Sequence, residues 1–428
     1  MTGGFLIILI ILLIAGLPAA QTIGISALIG QLETTGLQLS SFATRVVGSM
    51  NSSNLICIPM FLFAGALMNR GGVTKRLFNF CNKLVGWLPG GLCHVNIAAS
   101  LIFAGMSGSA MADLGGLGSM ELKAMHDEGF PDEISVAVTG CSSLLGPMIP
   151  PSVVLILYGM LTNASIGALF LAGIIPGILM ALFMMVYVII LDKKYHFPRH
   201  PRTPVKELLK SFLDAVPSLL TVVIILIGIY TGIFTTNEAG AIAALWALFL
   251  STVIYKEVKL KDLFEIVRDM ISNIGSIILI MGFASVFGVV LVRSLLPQKL
   301  AAALISLISN RYAMIFVITA FLLVCGCFME TTAAMSILLP IFTPILSYFN
   351  FSLVHFGIIF ELAFGIGGLT PPFGLLIFMM QRISGMKSAR IIKAYLPWIV
   401  LMVICLLVIV YVPDIALWLP KLANYTIN

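Results

Sequence analysis

The chain has 428 residues, 60% hydrophobic and only 10% charged, with a mean hydropathy of +1.11. Water-soluble proteins carry about 25% charged residues, so a soluble enzyme or binding module is excluded and a polytopic membrane protein is indicated. The net charge of +6 does not point to nucleic acid, because its distribution follows membrane topology.

The N-terminal run 3–20 lacks a basic leader, and its apolar pattern continues through Ile29, so it reads as a retained helix rather than a secretory signal. The predicted spans are 4–30, 53–69, 136–162 (broken), 166–191, 213–235, 238–255, 271–292, 353–381 (broken) and 394–419. Two re-entrant hairpins join them at 93–126 and 312–347, and short helices at 73–87 and 297–309 are expected along the interfaces. The expected organisation is scaffold helices with an interfacial helix over 1–92, a first transport half over 93–191, and a cytoplasmic arm with linking scaffold helices over 192–270. A scaffold helix and interfacial helix follow over 271–311, then a second transport half over 312–428.

The hairpins are read from two interruptions, Ala104-Gly-Met-Ser-Gly-Ser-Ala-Met-Ala-Asp113 and Gly326-Cys-Phe-Met-Glu-Thr-Thr-Ala-Ala-Met335. Each separates apolar runs too short to cross a bilayer alone, which takes about 20 residues. Broken backbone at membrane depth is tolerated only where it is buried in protein or lines a cavity. Paired interruptions in corresponding halves point to the binding site of a secondary transporter.

Basic residues orient the chain. With a cytoplasmic N-terminus and each hairpin returning to its own side, segments 70–92, 121–133, 192–212, 256–269 and 382–393 face the cytoplasm and hold 19 of the 24 Lys and Arg. Only Arg45, Arg293, Lys299, Arg311 and Lys421 fall outside, as the positive-inside rule requires, and the C-terminus is periplasmic. The hairpins then enter from opposite faces, and residues 54–65 run outside-to-inside while 277–288 run the other way. Asp113 precedes Pro150 by 37 residues and Glu330 precedes Pro371 by 41. The fold expected is an all-α inverted repeat with two hairpins and two broken helices.

The helix breaks are Gly146-Pro-Met-Ile-Pro-Pro151 and Gly367-Gly-Leu-Thr-Pro-Pro372. Each Pro-Pro pair reads as the first turn of a fresh half-helix, where the missing N–H costs nothing, and Thr370 is expected to cap the second. Preceding half-helices end in unpaired carbonyls that suit Na⁺, and the positive ends of the new ones suit a carboxylate. One cation cage is expected where Ser107, Gly108 and Ser109 face Gly146, Met148 and Pro150. A second is expected where Gly326, Thr331 and Thr332 face Gly368 and Thr370. Ser107, Ser109, Thr331, Thr332 and Thr370 are also candidate substrate contacts. The plainer reading is that these glycines and prolines are kinks; two hairpin-and-break pairs favour sites.

Intramembrane acids are costly and usually functional. Asp113 and Glu330 either support a site or serve as scaffold, Asp113 by capping a hairpin helix, and Glu361 reads more as scaffold. Glu238 is expected to cap the turn between two helices. No Lys or Arg falls at the midplane, so an anionic substrate would be held by helix ends, hydroxyls and bound cations. His94 and His355 are expected at helix mouths. Phe103, Phe328 and Phe373 could stack on a sugar, though packing is the commoner use. The seven cysteines, with Cys325-Gly-Cys327 as the one close pair, read as small apolar packing residues. No phosphate-binding loop occurs, so the chain does not itself run on ATP.

At these motifs the chain resembles the large membrane subunit of tripartite ATP-independent periplasmic (TRAP) transporters. The matching stretches are Gly105-Met-Ser-Gly-Ser-Ala-Met-Ala-Asp113, Leu145-Gly-Pro-Met-Ile-Pro-Pro-Ser152 with Tyr158-Gly159, and Phe234-Thr-Thr-Asn-Glu-Ala239. Later come Met329-Glu-Thr-Thr-Ala-Ala334, Leu339-Pro-Ile-Phe-Thr-Pro-Ile345 and Gly368-Leu-Thr-Pro-Pro-Phe-Gly374. The family often has Thr-Pro-Thr-Glu-Ala where this chain has Thr-Thr-Asn-Glu-Ala, which bears on a turn. The resemblance implies an elevator-type symporter moving more than one Na⁺, located in the bacterial inner membrane. It also implies a small four-helix membrane subunit, a periplasmic substrate-binding protein, and an organic acid such as sialic acid or a C4-dicarboxylate as substrate. The unfused large subunit is most similar to the sialic-acid type.

Three alternatives have distinguishing features. A stand-alone Na⁺/dicarboxylate symporter would need no binding protein. An intramembrane serine protease could use Ser107 in Gly105-Met-Ser-Gly, but needs a histidine within hydrogen-bond reach. A passive channel satisfies the composition alone, whereas two closed cages predict coupled flux.

Overall fold

The computed structural model describes residues 4–33, 39–371 and 374–427, and the regular elements among them are all helices. Six of these helices are long and apolar enough to cross a membrane, or seven spans if the pair Asp132–Met148 and Val153–Thr162, bent by 43°, counts as one.

One order of elements occurs twice. It begins with an apolar helix, Cys57–Arg70 and later Leu260–Arg293, followed by a shorter helix, Val73–Val85 and later Leu296–Leu307. A hairpin comes next: Leu92–Ser107 turning into Ala110–Asp113 and Ser119–Asp127 in the first half, Arg311–Gly326 turning into Thr331–Tyr348 in the second. Then come the broken helices and a long helix: Asp132–Ser142, Leu145–Met148, Val153–Thr162 and Ile166–Tyr195 first, then Leu353–Gly368, Leu375–Ser384 and Ser388–Tyr411. Val73–Val85 shows why such short helices form: Val73, Leu77, Phe80 and Cys81 fall on one buried stripe at helical spacing.

The halves interlock. Leu353–Gly368 packs along Arg311–Gly326 in its own half and against Ile166–Tyr195 of the other. On the far side, Thr236–Phe249 lies along Cys57–Arg70, while Leu260–Arg293 carries Ala19–Glu33 and Leu39–Met50. The turn into Thr236–Phe249 is a capping box, as expected of Glu238: its Nα–H donates to Thr235 Oγ1 (3.3 Å) and its carboxylate accepts from Thr235 N (2.8 Å). All seven cysteines are free thiols, six buried and Cys325 half-buried, which fits the packing role.

Several expectations are corrected. The span predicted over 4–30 is two helices, Gly4–Ile14 and Ala19–Glu33. Gly16, at φ +78°, closes the first, and Pro18 excludes the helical conformation from Leu17. Leu39–Met50 was not anticipated, because a twelve-residue amphipathic stretch gives no sustained apolar signal. The span begun at 271 starts at Leu260, where Asp262 accepts from Lys259 N (2.8 Å). His94 and His355 lie in the first turns of Leu92–Ser107 and Leu353–Gly368, as expected, but are buried there, bonded through Nε2 to the carbonyls of Pro89 (2.7 Å) and Ile409 (2.9 Å).

Candidate functional site

At the first tip, Leu92–Ser107 ends on Gly108, whose φ of +60° only glycine adopts without strain. Its N–H returns to Ala104 O (3.2 Å), and Ser109 runs extended into Ala110–Asp113. A Cβ on Gly108 would overlap the carbonyl oxygen of Pro151, and one on Gly146 would lie 2.8 Å from Ser109 O. The first tip and first break are therefore held backbone against backbone. Ser107 is 5% exposed and its hydroxyl has no hydrogen-bond partner. Leaving such a group unmatched costs about 1–3 kcal/mol, which a bound cation would recover.

Two expectations about this break change. Pro150 and Pro151, joined by a cis peptide bond, precede the fresh half-helix rather than form its first turn. Ser152 is the cap, accepting from Leu155 N (3.2 Å). Each proline holds the residue before it extended, and the chain turns helical only where a side-chain acceptor becomes available. The Met148 carbonyl, expected in the first cage, packs on Gly173 of the following helix.

Behind this tip lies a buried polar network that sequence reasoning missed. Asp113 Oδ2 accepts from Ser100 Oγ (3.0 Å), which lies 3.1 Å from Ser142 Oγ. Ser142 donates to Asn96 Oδ1 (2.8 Å), and Asn96 donates to Thr139 Oγ1 (2.7 Å). Asp113 thus ties the descending arm to the ascending arm and to Asp132–Ser142. The signal was a run of polar residues inside apolar helices, Asn96, Ser100, Thr139 and Ser142, spaced one turn apart in the first pair and three residues apart in the second.

The second tip is built differently. Glu330 caps Thr331–Tyr348: Oε2 accepts from Ala333 N (3.1 Å) and Oε1 from the Thr332 hydroxyl (2.8 Å). The tip meets its break at two glycines, where a Cβ on Gly367 would lie 2.6 Å from the carbonyl carbon of Gly326. Thr370 does not cap Leu375–Ser384; its hydroxyl donates back to Ile366 O (2.8 Å), and Gly374 occupies the cap position. A threonine one turn past a carbonyl bonds backwards along its own helix, and that bond is the shorter reach. The carbonyl oxygens of Gly368 and Thr370 converge on Gly374, at 2.5 and 2.8 Å from where its Cβ would stand. Phe373 lies outside the described residues.

Both tips and both breaks meet in one cleft of about 120 Å³, lined among others by Ser109, Pro147, Gly326, Glu330, Thr331, Glu361 and Gly368. Ser107 lines a separate cleft of about 190 Å³ on the other side of the first tip, with Gly65 and Asn69. Gly146 and Pro150 are buried within the first break. Glu361, which the sequence favoured as scaffold, is 3% exposed and presents an unpartnered Oε2 at the shared cleft. The cleft's lining is mainly apolar, with Met111, Leu144, Val154, Met329 and Phe364 among it, and its polar side chains are Ser109, Thr331, Glu330 and Glu361, with no Lys or Arg. The Ser107 hydroxyl has no hydrogen-bond partner, and the buried His94 and His355 rings are bonded to the carbonyls of Pro89 and Ile409.

The family described as tripartite ATP-independent periplasmic transporter, DctM component, matches residues 6–415. The chain is 38% identical to the sialic acid TRAP transporter large permease protein SiaM of Vibrio cholerae, covering 96% of each chain. It is 34% identical to the C4-dicarboxylate TRAP transporter large permease protein DctM of Pseudomonas aeruginosa, covering 94% of each. The solved structure of the YdaH transporter of Alcanivorax borkumensis aligns with a TM-score of 0.67 over 97% of this chain and 98% of that one, at 14% identity, a likeness of fold alone. With its full-length match and its paired hairpins and breaks, this chain belongs to the DctM component family, the large permeases of tripartite ATP-independent periplasmic transporters.

Proposed function

We propose that this chain is a Na⁺-coupled permease for an organic acid, sialic acid before a C4-dicarboxylate, in the bacterial inner membrane. The observation that carries the reading is the single cleft shared by both tips and both breaks. Its lining carries no cationic side chain to pair with an organic anion, so bound cations would supply the positive charge that the anion needs there. Coupling follows from that charge balance: Na⁺ at the tips raises affinity for the anion, and the anion raises affinity for Na⁺ by the same factor.

Ser109, Gly326, Thr331 and Gly368 would share the cations of the cleft, and Ser107 with Gly108 those of the first tip's other face. The cytoplasmic N-terminus, periplasmic C-terminus and inverted halves follow from the basic-residue distribution. Residues 93–191 and 312–428 would move as the elevator against scaffold segments 1–92, 192–270 and 271–311, with a small four-helix subunit beside them. A periplasmic binding protein would deliver the substrate, as family membership suggests.

The test is uptake of radiolabelled sialic acid into proteoliposomes holding the chain and its small subunit, with the binding protein outside, with and without an inward Na⁺ gradient. Uptake that needs both additions is expected. Uptake without the binding protein would instead make this a stand-alone symporter, and uptake indifferent to Na⁺ would overturn the coupling.

A further inference from the structure

Arg45 and Arg293 stand apart from every interaction described above. They line one cleft of about 440 Å³ together with Leu161, Ser285, Ser336 and Pro340. Its walls come from Leu39–Met50 and Leu260–Arg293 on one side, and from Val153–Thr162 and Thr331–Tyr348 on the other. The two helices carrying the arginines are fastened to each other: Ser49 Oγ donates to Met281 O (3.3 Å) and Ser285 Oγ to Arg45 O (3.4 Å). The arginines are thus presented from a fixed wall. Among the described residues neither arginine makes an ion pair, and no Asp or Glu lines the cleft.

Two exposed guanidiniums facing one cavity without a counter-ion repel each other, and an anion held between them relieves that repulsion. The guanidinium fork matches a carboxylate with two parallel hydrogen bonds. On the opposite wall, Pro340 has no N–H to return to the carbonyl of Ser336, a residue that is 1% exposed. Ser336 is also bonded to Thr332 O (3.1 Å), one helical turn from the second tip.

We infer that Arg45 and Arg293 form a capture site for the carboxylate of an organic acid, separate from the cleft between the tips. It holds the anion by charge before cations have made the inner cleft attractive. Only its outward placement, ahead of that cleft on the uptake path, rests on the functional reading above. A lipid phosphate offers the same anionic chemistry from another source, and the experiment separates the two.

The test labels arginines in the purified complex of this chain and its small subunit, held in discs of neutral phosphatidylcholine. Hydroxyphenylglyoxal modifies accessible guanidiniums, and mass spectrometry reads Arg45 and Arg293 individually. N-acetylneuraminate at about ten times its dissociation constant should slow modification of both about tenfold. Succinate should protect as well, and neutral N-acetylmannosamine not at all. In the Arg45→Gln protein, affinity should drop about tenfold with the loss of one charged hydrogen-bonding partner, so protection of Arg293 should fall from about tenfold to about twofold, and Arg45→Lys should restore part of it. Failure of both acids to protect either arginine would overturn the site. So would protection given by phosphatidylglycerol in the disc and left unchanged by added acid, which would assign the arginines to lipid phosphate. Because no transport is measured, a negative result here and a negative uptake experiment are distinct failures.

Discussion

At the first tip the chain turns through Gly108 in the left-handed region and lies against Pro151, with the Ser107 hydroxyl left unmatched. At the second, a carboxylate does the turning: Glu330 caps the returning helix and holds the Thr332 hydroxyl. Both ends solve the same problem, free backbone groups at membrane depth, one by main-chain shape and one by a charged side chain. The difference teaches where each tip tolerates change. A tip made by backbone shape fails when any Cβ is added, whereas a tip made by a side chain fails in proportion to the hydrogen bonds removed.

The largest effect should follow Gly108→Ala. The left-handed conformation alone costs about 1–2 kcal/mol for a residue with a Cβ, and overlap with Pro151 O adds to it. Na⁺-driven uptake should be lost and the thermal midpoint of the purified complex lowered. Near-normal uptake would break the claim that backbone shape makes this tip.

Next in size comes Gly367→Ala, whose Cβ would press on the Gly326 backbone at 2.6 Å. The matched control is Gly365→Ala, where the nearest atom is a terminal methyl of Leu144 at 3.1 Å that can move. Comparing the two thermal midpoints separates backbone approach from crowding, and equal losses would remove the distinction.

Glu330→Ala should cost about 1 kcal/mol for the lost cap, with Glu330→Gln between it and the parent because the amide keeps one acceptor. Denaturation of the three proteins checks the order; a Gln variant as unstable as Ala would mean the charge, not the cap, holds this tip.

Ser107→Ala should cost no stability, since no bond is broken and an unmatched buried hydroxyl is removed. Its Na⁺ dependence should move instead, with half-maximal uptake needing about tenfold more Na⁺. An unchanged Na⁺ curve would mean the unmatched hydroxyl is not a ligand.

Much of this architecture was legible in the residues. Both hairpins and both breaks declare themselves, because glycine, serine and proline interrupt apolar runs that are otherwise continuous. The Thr235–Glu238 capping box was legible for the same reason: its chemistry is local. The first tip's polar network was not, since Asn96, Ser100, Thr139 and Ser142 look like ordinary small polar residues until two helices face each other. Thr370 misled because a hydroxyl before Pro-Pro can cap forwards or bond backwards, and only the path of the chain chooses. Met148 misled because which way a carbonyl points depends on the neighbour, here Gly173.

The sequence by itself determined the helical membrane architecture and the two interruptions with their partner breaks. Those are properties of composition and local backbone chemistry. Tertiary structure alone decided that Glu361 reaches the cleft shared by the tips, that His94 and His355 are buried, and that Arg45 and Arg293, from distant segments, line one cleft. The physical reason is the same in each case. Burial and charge pairing are set by which helix faces touch, and in an almost uniformly apolar chain the hydrophobic pattern marks helices without marking the faces they share.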